Sequence, residues 1–357
     1  MIQLYEYSTS FLLELHNPTF QRNTLILNIC KNVDCIEKIS ELFNQDLNKY
    51  SKDRTALCIG HIFRDHEITD PNIVLDIINH LTSLLGRGTL NDKAQFAIQY
   101  LIENENDSSI DIIDDGIDSL FGIIISGGNT SQDSDQHPYF SCNQEYDGMW
   151  KIYKLFLRYG NKNTRDTSAI CLGFLFRSRE ITNIEIKVQI ITFHKNHINV
   201  SDDWNKNQSR RTLKCLSYNA TNRAEILNDK ELKKIEHDLK LPLKGSKENR
   251  KSTILIQEYW FLLLLIVLNG RADDELRRQI IQARILDRFL LIFEQREYSL
   301  VTNIITQAFI SLIKPSSKDI GLLIFIKKPF TGLLRLLNHP NSQIVDDAIS
   351  SIFHMII

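Results

Sequence analysis

The 357-residue sequence predicts an all-α protein, built as one right-handed α-α superhelix of about eight to nine helical repeats. Apolar residues recur at helical spacing along most of the chain. No run of alternating apolar and polar residues indicates a β-strand. A block of sequence also occurs twice, which is typical of repeat proteins, because each repeat must stack on a neighbour to bury its apolar face.

The duplicated block is the most specific of these observations. Residues 38–73 align without gaps on residues 151–186, and 16 of the 36 positions are identical. The offset of 113 residues divides into three units of about 38, so we expect that about three repeats were copied together. The matched structural positions are Ala56, Gly60, Phe63 and Arg64 in one copy and Ala169, Gly173, Phe176 and Arg177 in the other.

Each copy of the block is predicted to form a helix, a turn and a second helix. Small Ala and Gly residues on the apolar stripe allow two helices to approach closely. In the first copy, Asp70 followed by Pro71 predicts that a helix begins near Pro71. The pairs Arg64–Glu67 and Arg177–Glu180 are expected to cap or bridge the turn between the helices.

Helical periodicity continues between and beyond the two copies. The weakest helical pattern is at residues 110–125, which are rich in β-branched side chains. The clearer helical segments are residues 73–85, 94–102, 184–193, 276–293 and 301–313. The apolar run at 253–268 contains Gln257 and Glu258 and is too short to span a bilayer, so it is predicted to be a buried helix.

Residues 127–148 interrupt the helical pattern. This stretch is rich in turn-forming residues and is too long for a passive connection within a compact array. We expect it to project as a loop, with Tyr139, Phe140 and Tyr146 as candidate anchors for a partner. The expected organisation is therefore a single array over residues 1–357, with copies near 38–126 and 151–239, the loop 127–148, and further repeats at 252–357.

The clearest single repeat is at residues 328–357. Leu333, Leu334, Leu336 and Leu337 form one apolar face, a turn carries Pro340, and an apolar helix with a central Ala348 follows. This segment resembles an armadillo repeat, and residues 11–30 are similar to a degenerate copy. The resemblance to the armadillo/HEAT superfamily implies a solenoid that binds a partner protein along its surface, without catalysis of its own.

One specialised branch of that superfamily is not favoured. In importin alpha, which carries proteins into the nucleus, a Trp followed four residues later by Asn lines the peptide groove. Here the residues four after Trp150, Trp204 and Trp260 are Lys, Gln and Leu. A scaffold or adaptor for protein partners therefore remains the preferred function.

Charge is segregated along the chain, although the net charge is only -2. Residues 94–150 are acidic and include Asp111, Asp114 and Asp115, while residues 204–251 are basic and include Arg210 and Arg211 near Trp204. These six residues are candidate partner-binding positions. Two other interpretations stay open: both regions are solvated faces, or the basic region 204–251 binds nucleic acid.

Other functional classes have little support in the sequence. His194 and His197 are spaced to share a helix face, but no third ligand completes a metal site. Nothing ties a catalytic triad, a phosphate loop or a glycosylase-type carboxylate to one place in the fold. We expect no enzymatic activity, no cofactor and no metal.

The cellular context and the chain's last helix also yield expectations. Six cysteines without a paired framework, together with an N-terminus unlike an export signal, predict a reduced protein of the cytoplasm or nucleus, without membrane attachment. The final helix stays apolar to Ile357, so self-association, a partner or further repeats are expected to cover it.

Overall fold

The computed structural model describes residues 43, 49–62, 71–84, 94, 97–98, 110–145, 148–157, 162–314 and 317–356. These described residues form helices and turns and contain no β-strand, which confirms the all-α prediction. They fall into two compact units, Met1–Leu175 and Phe176–Ile357. The expectation of a single array with eight to nine repeats stays a prediction, as does the similarity of residues 11–30, which lie outside the described residues.

The helices described in the first unit are α1 Lys49–Ile62, α2 Pro71–Ser83, α3 Ile110–Gly128, α4 Phe140–Glu145, α5 Gly148–Leu157 and α6 Lys162–Leu175. Helix α2 contacts α1 and α3, while α6 contacts α3 and α5. The predicted helix start at Pro71 is confirmed, as is the helix over residues 110–125.

The helix described within the first copy of the duplicated block has the same boundaries as its counterpart in the second copy. Helix α6 begins and ends 113 residues after α1, the offset of the alignment. A contact also recurs: Lys52 Nζ lies 5.2 Å from the ring centroid of Phe43, and the equivalent Arg165 lies 5.5 Å from that of Phe156. The likeness of the copies therefore includes side-chain packing.

Small residues permit the close packing expected of the first copy. Ala56 and Gly60 are buried, and a Cβ placed on Gly60 would lie 2.4 Å from the Cβ of Ala97. In the second copy Ala169, Gly173, Phe176 and Arg177 are all buried. Phe63 and Arg64 lie outside the described residues. The buried state of Arg177 was not evident from sequence, because periodicity does not distinguish a charged residue that is exposed from one that is enclosed.

The second unit contains α7 Ile184–His197, α8 Asp203–Leu216, α9 Ala220–Ile226, α10 Asp229–Leu239, α11 Lys247–Leu268, α12 Asp274–Gln282, α13 Ile285–Gln295, α14 Asn303–Ile313, α15 Lys318–Ile326, α16 Phe330–Leu336 and α17 Ser342–Ile356. Most of these helices begin with an Asn, Asp or Ser whose side chain accepts a hydrogen bond from the first turn.

Helices of the second unit pack on their counterparts three helices further along the chain. One series is α8, α11, α14 and α17, a second is α10, α13 and α16, and α12 packs on α15. The repeat therefore contains three helices, which is the armadillo arrangement rather than the two-helix HEAT arrangement. Buried phenylalanines connect the series, with Phe261 and Phe289 centred 4.9 Å apart and Phe293 and Phe309 5.2 Å apart.

The predicted loop 127–148 is shorter than expected: residues 129–139 are non-helical and mostly exposed, whereas both ends of the predicted range are helical. Helix α3 continues to Gly128, and Phe140–Glu145 and Gly148–Leu157 are helical. The connection between α3 and α4 is held against α3, because His137 is buried and its Nε2 donates to the Ile124 carbonyl at 2.8 Å. Turn-forming residues marked the connection correctly, but they carried no information on whether it packs against the helices.

The turn after α6 uses a different ion pair from the one expected. Glu180 accepts from Lys187 Nζ of α7 at 3.1 Å, so its partner is on the following helix. Asn222 secures the same turn from α9, with its amide Nδ2 donating to the Arg179 carbonyl at 2.7 Å. The first copy of this turn, with Arg64 and Glu67, lies outside the described residues.

Helix α11 is the one described helix that is long and apolar enough to cross a membrane by length and composition. Half of its most apolar window is buried inside the protein. It also occupies a regular position between α8 and α14 in the packing series. Its C-terminal half is the buried helix that the sequence predicted, whereas its N-terminal half is partly exposed.

Candidate functional site: a cleft between α7, α10 and α11

The second unit contains an open cleft with a cavity volume of about 750 Å³, in the range of ligand and peptide pockets. Helix α7 contributes Thr192, Lys195 and Asn196, and α10 contributes Glu231, Lys234 and Asp238. The α11 residues that line it are Ser252, Leu255, Ile256, Tyr259 and Trp260. The cleft is therefore bounded by side chains held on three helices.

An ion pair joins two of these helices across the cleft. Lys195 Nζ on α7 lies 2.8 Å from Glu231 Oε1 on α10, and both side chains are largely shielded from solvent. The Asn228 side chain accepts from the Glu231 backbone N–H, which positions the first turn of α10. The α7 and α10 walls are therefore linked near the start of α10.

The other end of the cleft is fixed by side chains of α11. Trp260 Nε1 donates to Asp238 Oδ2 at 2.8 Å, and Gln257 Nε2 donates to the Leu241 and Asp238 carbonyls at 3.1 and 3.2 Å. Arg296 in turn donates to Gln257 Oε1. These contacts attach α11 to the end of α10, so the cleft has a preformed shape.

Two large apolar side chains in the cleft are exposed to solvent. Leu255 is 46% and Ile256 39% exposed, although they lie on a helix whose later half is buried. Tyr259 is partly buried, and burial together with the nearby Glu231 carboxylate raises the pKa of Tyr259 to about 12. The phenol therefore stays protonated at neutral pH and can donate a hydrogen bond.

The rim of the cleft is basic. Lys234 lines the cleft, and its Nζ lies 5.4 Å from the ring centroid of Trp260. Lys230 precedes Lys234 by one helical turn, and Lys251 precedes Leu255 by one turn, so each is on the cleft side of its helix. Lys247, two turns before Leu255, extends the same edge. All four lysines are exposed.

The structure separates the three basic-region candidates. Trp204 is 42% exposed near the start of α8. Arg210 has a structural contact, because its Nε donates to the Ile198 carbonyl at 2.8 Å, and burial lowers its pKa although Asp203 opposes the shift. Arg211 is partly buried. None of the three lines the cleft.

The acidic and aromatic candidates lie in the first unit. Asp111, Asp114 and Asp115 are within α3, but their side chains are outside the described part of the structure. Tyr139 is partly buried and Tyr146 lies outside the described residues. Phe140 is only 6% exposed, so the proposal that it anchors a partner was wrong. It packs inward because its turn lies against α3.

The histidines singled out by spacing both take part in hydrogen bonds within the fold. His194 is fully buried with Nδ1 at 3.1 Å from Ser209 Oγ, and His197 Nδ1 donates to the Phe193 carbonyl at 2.7 Å. Within the described residues no group of three or more His, Cys, Asp or Glu side chains is placed to hold a metal ion.

Sequence reasoning did not single out the cleft residues Leu255, Ile256 and Tyr259. It assigned the whole run 253–268 to a buried helix, and only the second half is enclosed. One signal was available: the six residues before Thr253, KENRKS, are polar, so α11 begins in solvent and enters the core gradually. The first apolar residues after such a polar turn are at the edge of the core.

No protein-family model and no curated protein matches the sequence. Among solved structures, an engineered protein is 12% identical, with the alignment covering 93% of this chain and 80% of that chain at a TM-score of 0.41. A designed armadillo repeat protein is 10% identical, with 72% and 98% covered and a TM-score of 0.43. Computationally designed armadillo repeat proteins for modular peptide recognition are 8% identical, with 78% and 97% covered and a TM-score of 0.36. The three-helix repeat of the second unit is evident from its own helix contacts.

Proposed function

We propose that this chain is a non-enzymatic scaffold or adaptor that binds a segment of a partner protein in the cleft between α7, α10 and α11. The observation that carries the proposal is the exposure of Leu255 and Ile256 inside a cavity of about 750 Å³. Exposed apolar side chains gathered in a concave, polar-rimmed site are typical of protein interaction sites.

The polar groups of the cleft support binding rather than catalysis. Glu231 is paired with Lys195, and Asp238 accepts from Trp260 Nε1, so both carboxylates have structural partners. Tyr259, with its raised pKa, supplies a hydroxyl donor beside the apolar pair. A site with an apolar floor, one donor and charged edges recognises a peptide segment by one inserted side chain and flanking polar contacts.

An intracellular location, cytoplasmic or nuclear, is part of the same proposal. Cys171 and Cys215 are free and buried, and burial, with a smaller effect of Asp118, raises the pKa of the Cys171 thiol. Buried, protonated thiols are unreactive packing residues, which suits a reducing compartment. Imaging of the tagged chain in cells tests this part: secretion into the medium contradicts it.

A selection from a random peptide library tests the binding site. Peptides enriched on the wild-type protein are expected to lose about tenfold or more in affinity for the Leu255→Ser/Ile256→Ser variant, because two anchoring contacts are removed. The matched control is Leu322→Ser/Leu323→Ser, which changes an equally exposed apolar pair on α15. Enriched peptides that bind both variants as tightly as they bind wild type would overturn the proposal.

A further inference from the structure

We infer that the cleft takes an acidic partner segment, in which one large apolar side chain is flanked by Asp or Glu residues. The inference rests on the proposed function and specifies its partner by charge. It follows from three features of the described residues around the cleft: carboxylates that already have internal partners, lysines that form no ion pair, and an exposed apolar pair on the same cleft.

The carboxylates that line the cleft already have an ion-pair or hydrogen-bond partner within the fold. Glu231 forms the ion pair with Lys195, and Asp238 accepts from Trp260 Nε1 and lies 3.1 Å from His237 Nδ1. Glu236, on the same helix, is bound by Arg288 of α13. An incoming basic segment would therefore have to compete with internal partners for these groups.

The lysines of the rim form no ion pair with any residue that the structure describes. The side chains of Lys230, Lys247 and Lys251 are exposed and form no salt bridge within the described residues. Lys234 adds a fourth positive charge, held over the Trp260 ring. The exposed acids beside these lysines are Asp229 and Glu248, so four exposed lysines face two exposed acids and the edge favours an approaching carboxylate.

The two groups of lysines lie on two different helices of the cleft, and α11 carries both one of the groups and the apolar pair. Lys230 and Lys234 follow the α10 wall, while Lys247 and Lys251 precede Leu255 on α11. A segment with its large side chain on Leu255 and Ile256 would place residues on either side of it within reach of both groups. This arrangement matches a short acidic and apolar motif better than a uniformly charged tail.

Nucleic acid fits the same edge less well. Proteins that bind single strands stack bases on exposed aromatic faces. Here Trp260 is 3% exposed and Tyr259 is partly buried, while the exposed floor is aliphatic. Lysines alone would bind the phosphate backbone weakly and without use of the cleft. The combination of an aliphatic floor with a lysine rim therefore favours a peptide.

The test compares labelled probes by fluorescence polarisation on the full chain. The probes are a fluorescein-labelled Asp-Glu-Leu-Phe-Glu-Asp peptide, the same peptide with Lys at each acidic position, the same peptide with Ala for Leu and Phe, and a labelled oligothymidine.

We expect the acidic peptide to bind best, and its Kd to rise about tenfold or more in the Lys230→Glu/Lys251→Glu variant. Added salt should weaken binding. The matched control, Lys318→Glu/Lys328→Glu, makes the same charge change on exposed residues beyond the cleft.

Each outcome separates the two proposals. If the lysine peptide binds as well as the acidic one and both depend on Leu255 and Ile256, the acidic inference fails and the proposed function stands. If the acidic peptide does not bind while library-selected peptides bind through the same pair, the acidic inference likewise fails. Peptide binding that is indifferent to Leu255→Ser/Ile256→Ser overturns both. Oligothymidine binding tighter than the acidic peptide, with loss in Lys230→Glu/Lys251→Glu, overturns the inference in favour of nucleic acid.

Discussion

At the scale of single residues, arginine and histidine side chains satisfy the backbone groups that the short helices leave unpaired. Arg277 is fully buried, and its guanidinium donates to the carbonyls of Leu312, Ser311 and Arg271 at 2.8, 3.1 and 2.7 Å. His339 bridges a turn in a similar way, with Nε2 donating to the Tyr298 carbonyl and Nδ1 accepting from the Asn341 N–H. The last turn of a helix has four carbonyls without helical partners, so each such side chain replaces missing bonds.

Substitution of Arg277 tests this role. Arg277→Met removes the donors but keeps most of the side-chain volume, so the buried carbonyls lose their partners and the free energy of unfolding should fall by about 3 kcal/mol or more. Urea denaturation monitored by circular dichroism measures the loss. The neighbouring Arg278 provides the control, because its side chain is partly exposed and its ion pair with the exposed Glu275 is long, at 4.0 Å. An Arg278→Met variant as unstable as Arg277→Met would contradict the capping role.

The capping role of Arg277 could not be identified from the sequence. Arg277 lies near the start of α12, where a basic residue is ordinarily a solvated charge, and periodicity reports which face of a helix is apolar, not which carbonyls of another helix it meets. The expected pair Arg177–Glu180 shows the same limit. The block repeat marked both residues as special, but the partner of Glu180 is Lys187, which becomes adjacent only when α7 is placed.

At the scale of elements, sequence and structure agree closely where a helix carries small residues. The pattern predicted close approach at Gly60, and the distance to Ala97 confirms it. Helix existence was predictable for most segments, because helical spacing of apolar residues is a local property. How residues 127–148 pack was not predictable from the sequence, since their packing depends on the contact between His137 and α3.

A pair of glycine substitutions separates packing from helix propensity. Gly60→Ala places a methyl group against Ala97, so it should destabilise the protein by about 1–3 kcal/mol. Gly122→Ala meets nothing within 4 Å on α3 and should stabilise it by roughly 0.5–1 kcal/mol through reduced backbone entropy of the unfolded chain. The Tm of the two variants, measured by thermal denaturation, should therefore shift in opposite directions. Equal shifts in Tm would contradict the assigned packing of Gly60.

The contact between α10 and α13 makes the stability of the fold depend on pH. The side-chain hydrogen bond from Arg288 lowers the pKa of Glu236 from its ordinary 4.5, and burial opposes this shift. The positive charges of Arg288, Lys240 and Arg284 lower the pKa further. A depressed folded-state pKa contributes stability that is present above about pH 4.5 and is lost as the pH falls through the folded value. Arg288→Ala should raise the pKa of Glu236, as measured by carboxyl NMR titration. An unchanged pKa, or an equal change in Arg278→Ala, would contradict the pairing.

At the scale of the whole molecule, the sequence predicted the fold class and the duplication but not the cleft. Both predictions depend on regularities that are repeated many times along the chain. The cleft depends on a single irregularity, the 22-residue α11, which is longer than its counterparts α8 and α14. Its first turns extend past the buried region, which leaves Leu255 and Ile256 exposed. Their exposure could not be predicted from the residue types Leu and Ile, because it depends on where the neighbouring helices end.

The second unit also exposes large apolar side chains on α15 and α17, including Ile326 at 62% and Phe353 at 57%. We expect concentration-dependent self-association through these exposed side chains, as measured by light scattering. Ile326→Lys/Phe353→Lys should reduce it with a change in unfolding free energy of no more than about 0.5 kcal/mol, because both side chains are already solvated. Leu255→Lys is the control for a general effect of added charge. A wild-type protein that stays monomeric at high concentration would contradict the expectation.

The three-helix packing series bears on how such a chain can change length during evolution. Because α8, α11, α14 and α17 each meet a helix of the same kind, one more unit of three helices would be accepted by surfaces that already exist. A gene segment encoding whole units can then be copied without any new type of junction having to arise. Helices with identical boundaries 113 residues apart, such as α1 and α6, are what we expect such an event to leave behind.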